Sequence, residues 1–95
     1  MAPGETTVRF VEDGAKLTAV EIVRDGKRPV IVPLLRALLG LGIVVSTYQA
    51  RPSGGALAER MVLQRRDGQA IDAGLSEQTK AAILPVVMGD DSDAA

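Results

Sequence analysis

From Thr6 to Glu12 the run Thr-Thr-Val-Arg-Phe-Val-Glu places Val8 and Phe10 on one side of an extended chain and Arg9 and Val11 on the other. This pattern predicts a strand. Asp13-Gly14, a preferred turn pair, leads into a second β-rich run from Leu17 to Val23, so the two runs are expected to form a hairpin. Asp25-Gly26-Lys27-Arg28-Pro29 then punctuates the chain, because Pro29 biases Arg28 away from helix. From Pro33 the period lengthens. Leu34, Ala37, Leu38 and Leu41 fall on one helical stripe, Leu35 and Leu39 widen it, and only Arg36 and Gly40 mark a solvent side. Pro33 suits a first helical turn and Gly42 the left-handed position just past a helix end.

Ile43 to Gln49 is strongly β-branched and reads as a strand. Pro52-Ser53-Gly54-Gly55 reads as a loop, and Leu57 to Arg65 as a strand ending at Asp67-Gly68, the two strands forming a long hairpin. Ser76 is the expected N-cap of a last helix over 77–84, with Glu77 in its first turn; Pro85 ends or kinks that helix, and Val86 to Met88 either continue it or add a short strand. The order ββαββα predicts an α+β, ferredoxin-like sandwich: one four-stranded antiparallel sheet with two helices on one face. The two central strands each lead into a helix and are expected to run parallel. The N-terminal strand is expected at the sheet edge, in the place that a final strand would otherwise fill. A single domain over 6–88 is expected, with 1–5 and the acidic 89–95 as flexible tails.

Composition narrows the chemistry. The 95 residues include no Cys and no His, which removes disulfides, thiolate nucleophiles, Cys/His zinc sites and Ser-His or Cys-His pairs. Glu59 and Asp67 are the nearest approach to an acid pair, yet eight extended residues separate them by about 25 Å. Ser46, Ser53 and Ser76 start no Ser-x-x-Lys, and the first core strand is followed by no Gly-rich loop of the kind an acylphosphatase needs. No catalytic residue, metal site or cofactor is expected. The net charge is −1, and without the three tail aspartates the body carries about +2. That balance, and Phe10 and Tyr48 as the only aromatic residues, argue against nucleic acid. No apolar stretch reaches the roughly 20 residues that span a bilayer and Met1-Ala2-Pro3-Gly4-Glu5 is no basic leader, so neither membrane nor export is expected and a cytoplasmic location follows.

Certain short motifs also resemble a known family. Thr6-Thr7-Val8-Arg9-Phe10, the strand at Leu17 to Val23, Arg36-Ala37-Leu38, Leu41-Gly42-Ile43 and Ser46 to Arg51 are similar, in this order, to the ACT domain. Within that family they look most like the C-terminal ACT domains of the uridylyltransferase and uridylyl-removing enzyme that modifies the nitrogen-signalling protein PII. The resemblance spans 6–87 and implies a small dimerising, ligand-sensing module. It implies no enzymatic activity, since the uridylyltransferase catalytic domain is not in this chain. At the ligand loop the chain departs from the family. The family's Arg-Pro-Gly falls on Lys27-Arg28-Pro29 or on Arg28-Pro29-Val30, so the Gly that lets a backbone approach a ligand is replaced by Pro29 or Val30.

The resulting expectation is a non-catalytic, ACT-like regulatory or interaction module that forms a homodimer or binds another protein. The alternative is a small-metabolite sensor that binds an amino acid at Asp25, Lys27, Arg28, Pro29, Val30 and Ile31; a small hydrolase comes third. Interface candidates are Leu35 and Leu39 on the helix and Val11, Ala19 and Val23 on the uncovered sheet face, because two short helices cannot cover all of them.

Overall fold

The computed structural model describes residues 6–25 and 31–88. Its elements are β1 (Thr6–Asp13), β2 (Lys16–Asp25), α1 (Ile31–Leu39), β3 (Ile43–Ser53), β4 (Ala56–Arg65) and α2 (Ala73–Met88), the expected ββαββα order. The strands form one sheet in the order β1-β2-β4-β3, with β1 at the edge beside β2. Every neighbouring pair is antiparallel.

The central pair, β2 and β4, therefore corrects the expectation of parallel central strands. The crossover through α1 makes β2 and β3 parallel to each other, and the β3-β4 hairpin then inserts β4 between them in the opposite direction. Both central strands lead into helices, but from opposite ends of the sheet. The fold is ferredoxin-like, with the N-terminal hairpin filling the edge position.

Val8 and Phe10 of β1, Val20 and Ile22 of β2, and Met61 and Leu63 of β4 face the helices, where Leu34 and Leu38 of α1 and Ile83 and Val87 of α2 complete the core. Two β-bulges shape this face. Val11 and Glu12 pair with Ala19 and Leu17, so Thr18 is the extra residue, and the slip brings Leu17 into the same core as Val20. In β3 the extra residue is Ser46. Each bulged residue uses its own hydroxyl across the ladder: Thr18 Oγ1 donates to the carbonyl of Val11 at 3.0 Å and Ser46 Oγ to that of Val62 at 3.3 Å.

The β3-β4 loop is only Gly54-Gly55, both at positive φ as a tight two-residue hairpin requires, so Pro52 and Ser53 belong to the strand instead of the expected four-residue loop. Pro52 is tolerated because β3 is an edge strand. Helix α1 starts at Ile31, two residues before Pro33, which sits in the first turn where its missing N–H removes no helical bond. It ends at Leu39, after which Leu41 N–H and Gly42 N–H tighten onto the carbonyls of Leu38 and Leu39, with Gly42 at φ +75°.

At the last helix, one expectation is corrected and two open alternatives are decided. Asp72, not Ser76, is the cap: its Oδ1 accepts the N–H of Leu75 at 2.9 Å, so the helix begins at Ala73 and Ser76 lies buried inside it. Pro85 does not end the helix, and Val86 to Met88 are helical rather than a strand. Val87 in the core and half-buried Val86 hold this last turn to the domain despite the backbone bond that Pro85 cannot donate. Among the described residues no helix is long and apolar enough to cross a membrane.

Candidate functional site

The sheet face away from the helices is uncovered. Register fixes its pattern, because Arg9 pairs with Glu21, Glu21 with Arg60 and Arg60 with Gln49, giving one row of polar side chains across all four strands. Glu21 accepts from both sides: Arg9 Nη1 donates to Oε1 at 2.8 Å and Arg60 Nε to Oε2 at 3.1 Å. The hydrogen bond from Arg60, and then that from Arg9, hold the Glu21 carboxyl below the usual carboxylate range.

On one side of this row lie Val11, Ala19 and Val62, and on the other Thr7, Val23, Ala58 and Arg51. Between β2, β4 and β3 the face sinks into a groove of about 250 Å³, with Val23 and Ala58 in its lining together with Glu21, Gln49, Arg51, Glu59 and Arg60, so that two arginines stand against two glutamates. No three carboxyl-bearing side chains among the described residues are grouped to hold a metal ion.

The opposite side of the sheet carries a feature that the sequence reading passed over. Glu59 is 2% and Arg24 3% exposed, and both point to the helix side of the sheet. Glu59 pairs in register with Ile22, and Arg24 with Leu57, so the two charged residues occupy diagonal positions on adjacent strands. Tyr48 Oη donates to Glu59 Oε2 at 2.7 Å. Burial, with the Glu59 carboxyl beside it, pushes the Tyr48 phenol up to about 12. The signal was present in the chain as a break of phase: Leu57, Glu59, Met61 and Leu63 alternate on one side of β4, as do Val20, Ile22 and Arg24 on β2, so each strand sets one charge among core residues.

The sequence-derived candidates do not form one site. Asp25 ends β2 half-buried and Ile31 begins α1 packed on the core, while Lys27, Arg28, Pro29 and Val30 lie outside the described residues. Leu35 is half-buried and Leu39 is 50% exposed. Val11 and Val23 are half-buried on the uncovered face, but Ala19 is buried there with no partner needed, its small side chain lying between Val11 and Val62. The wide apolar stripe leaves Val32 and Leu39 exposed on α1, and Leu84 and Met88 are exposed on α2. Comparison of the chain with protein-family models, with curated proteins and with solved structures gives no match.

Proposed function

We propose that this chain is a non-catalytic, ACT-like regulatory module of the cytoplasm that works by association, first of all with a second copy of itself. The observation that carries the reading is the apolar outer surface of the helix layer. Val32 is 57% exposed, Leu39 50% and Met88 54%, and Leu84 is exposed as well. Val32 and Leu39 are seven residues apart on α1, and Leu84 and Met88 four apart on α2, so each pair lies along one side of its helix. Large apolar side chains grouped in this way are costly to leave in water and mark contact surfaces. The uncovered sheet face is less suited to a dry interface, because the Arg9, Glu21, Arg60 row crosses its centre.

Sedimentation of the wild-type protein at micromolar concentration tests this reading. A species of twice the 9.9 kDa chain mass is expected, and Leu39→Asp should return it to a monomer with unchanged circular dichroism. A soluble wild-type monomer that retains no partner from cell extract would overturn it.

A second reading, an amino-acid sensor at 25–31, draws support from Arg24 and Asp25, which bring a buried and a half-buried charge to the end of β2 where that segment begins. Thermal-shift titration with the common amino acids separates the two readings. A melting temperature that climbs with the logarithm of ligand concentration supports the sensor.

A further inference from the structure

Each helix presents two stripes rather than one. On α1, Leu34 and Leu38 are buried in the core, while Val32, Arg36 and Leu39 are exposed away from it at spacings of four and three residues. On α2, Ser76, Thr79, Ile83 and Val87 are buried, and Glu77, Ala81, Leu84 and Met88 are exposed at spacings of four, three and four. Alternating steps of three and four are those by which one helix packs along another, so the outer stripes have the form of a second seam.

These outer stripes carry one charge apiece, of opposite sign. Arg36 is the only charged residue of α1, is exposed, and makes no ion pair with any described residue. Its place in the last turn suits the helix dipole, which accounts for a cation there but leaves the guanidinium in water. Glu77 is the only acid of α2, and its side chain is 79% exposed. Lys80, the one cation of α2, lies 3.7 Å from Glu77 but meets Glu12 of β1 at 2.8 Å and sits over the Phe10 ring. Lys80 is thus drawn towards the sheet, and the Glu77 carboxylate remains open to a better-placed cation.

A two-fold contact sets residue i of one copy against residue j of the other, and j against i, so a single match of Arg36 with Glu77 is made twice. We infer that the outer helix stripes form an isologous interface in which Arg36 of each copy pairs with Glu77 of the other, with Leu39, Leu84 and Met88 as its apolar contacts. The occupant is a second copy because the layer carries its own complementary charge. An inference of this kind rests on the association proposed above and adds to it the register of the two copies. Like charges brought together across an interface cost more than one exposed ion pair contributes, so these charges fix register more than affinity.

Sedimentation equilibrium of the wild type, Arg36→Glu, Glu77→Arg and the double charge swap tests the pairing, with circular dichroism and thermal unfolding as checks on the fold. Either single variant should weaken the dimer by about tenfold or more, because each sets like charges face to face twice. The double swap should return the dissociation constant to within about threefold of wild type. Should Arg36→Glu fail to fold, Glu77→Arg decides alone by the same tenfold criterion. A wild-type dimer that the single variants leave unchanged, or that they weaken without recovery in the swap, would overturn this pairing and leave the association reading standing. A wild-type monomer would overturn both.

Discussion

Tyr48 stands on the exposed edge strand β3, yet its hydroxyl reaches a carboxyl that is almost wholly removed from water, that of Glu59 on β4, at 2.7 Å. A buried carboxylate that loses one of its donors loses a charge-assisted hydrogen bond, whereas the ring itself packs equally well without its hydroxyl. Tyr48→Phe is therefore expected to lower the unfolding free energy by about 1–3 kcal/mol with the fold retained. Urea denaturation measures it, and a change within error of zero would show that the other contacts of Glu59 suffice.

The same pair sets a spectroscopic signature. The chain has one Tyr and no Trp, so phenolate absorbance reports Tyr48 alone. Its folded pKa is raised to about 12, first by burial and then by Glu59, so the neutral phenol is the form that folding favours. This contribution is fully present below pH of about 10 and is lost as pH rises towards 12. Alkaline titration should place the wild-type midpoint well above that of the urea-unfolded chain, and Glu59→Gln should bring it down. Coincident folded and unfolded midpoints would remove Glu59 and burial as causes.

Placing β1 at the edge also has a measurable consequence. Deleting residues 1–13 removes Val8 and Phe10 from the core, the Glu12–Lys80 ion pair at 2.8 Å, and every backbone partner on one side of β2. The loss should exceed about 3 kcal/mol, since removing the Phe10 ring alone is of that order. Thermal unfolding of the truncated chain should show a much lower midpoint or no cooperative transition. An undiminished midpoint would mean that β2 does not need this partner.

The element order, the edge position of β1 and most core residues were legible because period-2 and period-3.6 patterns decide which side faces inward, as Val8, Phe10, Val20 and Ile22 show. Leu17 was less so, since the bulge at Thr18 changes the phase inside β2 and no short-range pattern marks it. The direction of the central strands required following the chain through α1 and the β3-β4 hairpin together, rather than noting that each strand leads into a helix. For the groove, Arg51, Arg60 and Val23 come from three strands, and their grouping exists only in the register of the sheet.

The row through Glu21 makes acid stability a further test. Because its folded pKa is depressed, by Arg60 and then Arg9, its contribution is present above the ordinary carboxylate range near 4.3 and is lost as pH falls through the folded value. Asp67, lowered by the Gln69 N–H and by Arg65, acts in the same direction, so the comparison must be between wild type and Glu21→Gln. The difference in denaturation midpoint between the two should shrink as pH drops from 6 towards 3, and should shrink also in concentrated salt, because the row is accessible to solvent. A pH-independent difference would mean that Glu21 acts through packing alone.

Ser76 and Asp72 separate two accounts of the last helix by the sign of a substitution. If Ser76 capped α2, replacing it with Ala would remove an acceptor for an unsatisfied N–H and cost about 1 kcal/mol. In the structure Ser76 is buried within the helix and its Oγ has no hydrogen-bond partner, while Asp72 Oδ1 accepts from Leu75 and the Ser76 N–H donates to the Asp72 carbonyl at 2.7 Å. A buried hydroxyl without a partner opposes folding, and Ala also has the higher helix propensity. Ser76→Ala should thus leave stability unchanged or raise it by up to about 1 kcal/mol, and Asp72→Ala should lower it by about 1 kcal/mol. Urea denaturation of both variants decides between the accounts, since a loss at Ser76 with none at Asp72 would place the helix start where the sequence pattern first suggested it.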